Sequence, residues 1–307
     1  MVVRHPHRLP LLALGMLALL TGLWAGLARL GWDVPLPRPG FSPLHGPLMV
    51  SGFLGTLISL ERAVALGRPW AYAAPLLTGL SGVSLIVGAP LLAAQWLILA
   101  GSLGLVAIFA AIIRRHPALY TFTMAGGAIV WALGTLLWCL GWPVFLVVFW
   151  WAAFLVVTIA GERLELARLQ QVSGSAQATF LLLLGILLTG LLLLGWSFDG
   201  GVRLFGLGLA GLALWLGRHD IARRTVKQTG LTRFIAICLL TGYVWLGISG
   251  LSAMWFGGVP VGPQYDATLH AFFLGFVFAM IFAHAPIIFP AVLGARMTYR
   301  PLFYAHV

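Results

Sequence analysis

The sequence predicts an all-α polytopic membrane protein, and three observations carry that expectation. Of its 307 residues, 61% are hydrophobic and only 8% charged, against roughly a quarter charged in an ordinary soluble domain. Ten apolar runs reach the roughly 20 residues that a helix needs to cross about 30 Å of hydrocarbon. The basic residues then fall on alternate connections, as the positive-inside rule requires of a correctly counted bundle.

The first run, 10–31, follows Arg4 and Arg8. Its length exceeds a signal-peptide core, so it is read as a membrane helix. The second, 41–66, opens near His45 and closes on Glu61–Arg62. Runs three and four, 70–89 and 91–113, are separated only by Gly88–Ala89–Pro90, which predicts a tight helical hairpin. The fifth and sixth span 117–140 and 143–165, the sixth ending on Glu162–Arg163. Runs 176–196, 201–217, 231–256 and 265–293 complete the ten. The last tail, "RPLFYAHV", reads as the start of an eleventh helix, and the complete bundle could then hold twelve. The expected organisation is one integral membrane domain over residues 1–307.

With the N-terminus placed inside, fifteen Lys and Arg residues flank the inner ends and three the outer: Arg29, Arg38 and Arg203. The net charge of +11 is thereby assigned to topology rather than to nucleic acid. The run "RHDIARRTVK" (218–227) suits the headgroups of an anionic leaflet. The expected location is a bacterial-type inner membrane. Cys139 and Cys238 lie within apolar runs, and no CxxCH or CxxC motif occurs, which excludes covalent c-type haem and gives no zinc or thiol-redox signature.

Ionisable residues inside a bilayer are costly and mark function. Of eight histidines, His5, His7, His116 and His219 fall at loops or flanks, and His306 in the tail. His45 lies about four residues into the second run and His270 about five into the tenth, both counted from the outer end. At about 1.5 Å per residue the two imidazoles share one depth. A six-coordinate haem b takes one axial nitrogen from each side, so His45 and His270 are the candidate iron ligands. Gly46, Gly52, Gly55, Ala271 and Gly275 would let the macrocycle approach both helices. Backbone-bonded or vestibule-lining histidines are the plainer alternative. His284 follows His270 by fourteen residues, about 1400° of rotation and about 21 Å of rise. It therefore lies on roughly the same side near the other surface, as a third cofactor-binding candidate for a second haem, with His306 its only nearby partner. It could instead line a path for quinone or protons beside Pro286 and Pro290.

"FLGTLISLERAVAL" from Phe53 and "FLVVTIAGERLEL" from Phe154 both place Glu-Arg eight residues on, and His45–Phe53 and His270–Phe278 share a frame. Helices two, six and ten would then repeat in units of four. Glu61–Arg62 and Glu162–Arg163 read as interfacial ion pairs, with proton uptake as the sharper alternative for either glutamate.

"HGPLMVSGFLG" (45–55) resembles the second helix of the catalytic subunit of the haem–copper oxidase superfamily, where a histidine near the outer face ligates low-spin haem. "HAFFLGFVFAM" (270–280) is similar in placement to the tenth helix, which carries the opposite ligand. Within that group the chain looks most like the NnrS-like membrane haem proteins linked to nitric oxide metabolism, whose second helices are of H-x-x-M-x-F-G-F type. The resemblance implies a twelve-helix, N-inside fold of four-helix units. It departs in two respects: the sixth and seventh runs, "VFLVVFWWAAFLVV" and "AQATFLLLLGILLTGLLLLG", carry no histidine for a copper or iron centre, and the tenth run lacks the second, closely spaced histidine that would hold an active-site haem. Leu146 stands in register with His45, and Trp150–Trp151 read as packing. The expectation is a bis-histidine haem b protein in electron transfer or nitric oxide sensing or handling. Its partners would be a quinol or periplasmic electron donor, nitric oxide, lipid and other membrane subunits. An oxidoreductase role stays open, without the metal ligands of the usual oxygen or nitric oxide reductases. A cofactor-free transporter or channel, or a structural subunit of a respiratory complex, is the alternative.

Overall fold

Long apolar runs fold as helices in a membrane because each backbone N–H and C=O must be satisfied within its own segment. The computed structural model describes residues 5–167, 172–294 and 300–306. Arg4, Arg168 and Arg296, counted above among the inner basic residues, lie outside them, as do the side chains of His7 and His306. Among the described residues there is no strand. Ten helices are long and apolar enough to cross a membrane: α1 (Leu9–Arg29), α2 (Ser42–Leu66), α3 (Pro69–Val87), α4 (Leu91–Arg115), α5 (Leu119–Cys139), α6 (Val144–Ala167), α7 (Gly174–Leu193), α8 (Phe198–His219), α9 (Gly230–Phe256) and α10 (Pro263–Leu293). They match the ten predicted runs to within three residues at every end.

Local chemistry sets the boundaries. Pro43 and Pro69 stand in the first turns of α2 and α3, where a missing N–H costs nothing. Ser173 and Ser197 cap α7 and α8 by accepting from Ala176 N and Gly200 N. Between α3 and α4, Gly88 takes φ 80°, which favours glycine, and Arg38 closes the α3 end by donating to Leu85 O at 2.9 Å. The predicted hairpin is therefore present. Despite Pro286 and Pro290, α10 runs unbroken.

Two compact units divide the chain. The first holds α1–α5, α6 up to Trp151, and Ile288–Leu293 of α10. Its helices pack largely as sequential neighbours, α3 on α4 and α4 on α5, as short connections dictate. Small residues set the closest approach: a Cβ on Gly52 would meet Ala18 of α1 at 2.9 Å and Gly82 of α3 at 3.5 Å. Leu60, Val292 and Leu293 form a buried cluster with Leu11, Leu12 and Tyr72 around them. Arg8 donates to Ala291 O and Val292 O, satisfying the carbonyl end of α10.

The second unit holds the rest of α6, α7–α9, α10 up to Ile287, and residues 300–306. Here α7 packs on α8, α8 on α9, and α9 on α10. Glycines again allow contact, Gly206 of α8 against Gly250 and Ala253 of α9. The tail expected to start an eleventh helix forms a short 3₁₀ helix, Pro301–His306, whose Phe303 and Tyr304 rings lie on Phe234 of α9.

Candidate functional site

His270 sits immediately before a π-helical stretch, Ala271–Val277, within α10. Its Nδ1 is 2.7 Å from the Asp266 carbonyl oxygen. A carbonyl only accepts, so the neutral ring keeps its hydrogen on Nδ1 and presents Nε2 as a lone pair. That is the arrangement by which proteins orient a metal-binding imidazole. The ring lines a cavity of about 520 Å³ between α9 and α10, walled mainly by apolar side chains such as Trp245, Ile248, Leu274 and Phe278. Cys238, Thr241 and Ser252 add the weakly polar positions. Ser249 Oγ donates to Thr268 O at 2.9 Å and ties the two helices beside it.

His45 has the same local form in the first unit. It stands in the first turns of α2, three residues before a second π-helical stretch, Leu48–Gly55. Its Nδ1 donates to Gly22 O of α1 at 2.8 Å, and a Cβ on Gly26 would lie 2.8 Å from that nitrogen. The imidazole thus occupies the space beside Gly26, and Met49 and Leu48 of the same helix fill that beside Gly22. Sequence reasoning passed over this contact, although Gly22–Gly26 is a G-x-x-x-G pair that signals close approach. Wide π turns are uncommon and collect at functional sites. Both candidate axial histidines precede one, and periodicity alone did not reveal either.

His284 also donates Nδ1 to the carbonyl four residues back, Met280 O, at 2.7 Å. Its Nε2 faces Glu162 Oε2 of α6 at 3.7 Å. Two expectations need correction. Glu61–Arg62 is an ion pair at 2.9 Å, but the guanidinium of Arg163 is hydrogen-bonded to a different acid. It binds Asp220 through Nε at 2.6 Å and Nη2 at 3.1 Å, and both residues are buried. Tyr243 of α9 donates to the same carboxylate at 2.5 Å, and Ala222 N at 2.7 Å. A bidentate guanidinium with two further donors satisfies the acid, which one neighbouring glutamate could not do for the arginine. Asp220 was hidden in a basic run read as facing headgroups, and its signal was an isolated acid at the very end of an apolar helix.

The second correction concerns space. Of the small residues expected to admit a macrocycle, Gly46 faces open space and Ala271 lines the cavity. Gly52 is filled by Ala18 and Gly82 and Gly55 by the Trp131 ring, so these two serve helix packing instead, whereas Gly275 lines the cavity and also lies against Trp245. Trp151 is buried edge-on against Trp138 at 5.4 Å, in keeping with a packing role.

The family model described as a domain of unknown function, DUF8744, matches residues 8–307, so the chain belongs to that family. No curated protein and no solved structure matches it.

Proposed function

We propose that this DUF8744 chain is an inner-membrane haem b protein, N-terminus inside, with His45 and His270 as axial ligands and a role in electron transfer or in handling nitric oxide. One observation carries the reading. His270 is pinned through Nδ1 to Asp266 O and lines a cavity of about 520 Å³ with apolar walls, the kind of surrounding in which a large apolar ligand with few polar contacts is bound. The like anchoring of His45 on Gly22 O supports it independently. Bound haem would supply one-electron redox chemistry, or an iron able to take a diatomic ligand, with potential set by ligands and burial. The chain's own part is to fix both tautomers through backbone carbonyls and to keep water from the cavity with Trp245, Ile248 and Phe278. His284 is left out of the ligand set because its Nε2 faces a carboxylate.

Topology by charge and the resemblance of α2 and α10 to the haem–copper oxidase superfamily support the arrangement in four-helix units and a quinol or periplasmic electron donor. A transporter is the second reading, drawing on the ionisable residues of the second unit. Against it, α10 has no unwound segment of the kind that builds transporter sites. The test is a dithionite-reduced minus oxidised spectrum of the purified protein, beside His45→Ala and His270→Ala. A b-type α-band present in the wild type and lost in both variants is expected. Its absence from the wild type would overturn the haem reading and turn attention to solute flux in liposomes.

A further inference from the structure

The connection between α8 and α9 gathers positive charge and hides its acid. From 218 to 233 the chain carries Arg218, Arg223, Arg224, Lys227 and Arg233 against a single acid, Asp220. Asp220 is buried and accepts from Arg163, from Tyr243 and from Ala222 N. The last of these bonds ties down the first residue of a one-turn helix, Ala222–Thr225. The connection is thereby held with its acid inward, while Arg218, Arg223, Arg224, Lys227 and Arg233 are exposed. Arg223 Nη1 donates to Arg218 O at 3.0 Å, which joins the two arginine positions without neutralising either. Among the described residues no acid pairs with any of the five cations. Like charges crowded in this way repel, and the one acid of the segment is committed to Arg163.

We propose that these five cations form a binding site for the phosphate headgroup of an anionic phospholipid. The adjoining helix faces decide where the phosphate comes from. On α8 the exposed Leu207 and Leu214 share a face, and Arg218 follows Leu214 on it by about one turn. On α9 the exposed Leu251 and Val244 share a face that reaches Arg233 about three turns earlier. Both faces are apolar along the helix and end in arginine at the same connection. The cations therefore stand where hydrocarbon gives way to headgroups, the place at which basic clusters recognise anionic lipid. A soluble acidic partner would have no use for the apolar faces beside them. Each arginine offers a planar fork of N–H donors that matches two phosphate oxygens, and Lys227 adds a point charge. The site lies wholly within the second unit and needs no haem.

The test titrates the detergent-purified full chain with phosphatidylglycerol or phosphatidylcholine and counts bound lipid by native mass spectrometry. Arg224→Gln with Lys227→Gln removes two charges from exposed side chains of the site. Arg114→Gln with Arg115→Gln removes the same charge from the exposed end of α4. The wild type should prefer phosphatidylglycerol. Its apparent affinity should fall about thirtyfold in the first double variant, or about fivefold per cation, and by less than about twofold in the second. Equal binding of the two lipids overturns the site, as does an unchanged affinity in Arg224→Gln with Lys227→Gln. An equal fall in both double variants overturns it too, since net charge alone would then be read. Should the first double variant fail to fold, Arg233→Gln, with a fall of about fivefold, gives the same decision. Inorganic phosphate and polyglutamate are titrated separately. Either one binding as tightly as phosphatidylglycerol overturns the lipid in favour of a soluble anion or an acidic protein segment, and weaker binding of both supports it.

Discussion

The two units bury polar chemistry in different ways. In the first, the fully buried side-chain contacts are neutral, the Glu61–Arg62 pair being only partly buried: Thr56 donates to Thr78 at 3.0 Å, Trp131 to Ser51 at 3.3 Å, and Gln95 to Trp138 O at 3.1 Å. Close packing does the rest, and every residue of the π stretch Leu48–Gly55 is buried. In the second, the interior holds the Arg163–Asp220–Tyr243 network and the Glu162–His284 pair, and the π stretch Ala271–Val277 borders a cavity, with Leu274 exposed. Two helices that share a histidine, a π turn and a sequence frame thus end in opposite settings, one sealed and one open. Ionisable groups in a membrane are retained at a cost.

The largest expected effect tests whether charge holds the second unit together. Asp220→Asn leaves Arg163 buried against a neutral amide, and should cost about 3 to 5 kcal/mol, the usual penalty for breaking a buried pair. Tyr243→Phe removes one hydrogen bond to that carboxylate and should cost about 1.5 to 3 kcal/mol. Unfolding in detergent, followed by circular dichroism, would rank them. If Asp220→Asn proved as stable as the wild type, the network would have no structural weight.

The first unit should respond to volume rather than to charge. A methyl on Gly55 would lie 2.5 Å from the wholly buried Trp131 ring, whereas one on Gly46 meets nothing. Gly55→Ala should therefore cost about 1 to 3 kcal/mol by overpacking. Gly46→Ala, on the same helix, should be neutral or stabilise by up to about 1 kcal/mol through lost backbone entropy in the unfolded chain. Equal stability of the two would remove the claim that close packing holds the first unit together.

These contrasts were only partly legible in the sequence. All ten helices were, since bilayer thickness imposes a length that apolar runs display directly. His45 and His270 stood out because imidazoles are scarce in such runs. What stayed hidden depends on partners distant in sequence. The carbonyl of Gly22 that orients His45 lies 23 positions away, and Asp220 binds Arg163 across 57. The glycines misled for the same reason. A missing side chain shows that something comes close, but not whether it is a cofactor or the Trp131 ring. Both π turns escaped because an added residue per turn leaves no mark in a run that is apolar on every face.

The smallest expected effect on stability is also the sharpest probe of the open site. Ala267 lies three residues before His270 on α10, lines the cavity, and is exposed. Ala267→Leu adds three carbons there without opening a void or stranding a polar group, so stability should move by no more than about 0.5 kcal/mol. Haem retained per mole of purified protein should nevertheless fall several-fold, because the new side chain takes up space in the cavity that His270 lines. A variant that kept both its stability and its full haem content would mean that the cofactor does not use this cavity. The anchoring of His270 on Asp266 would then stand as a structural hydrogen bond, and the space between α9 and α10 would belong to some other apolar ligand.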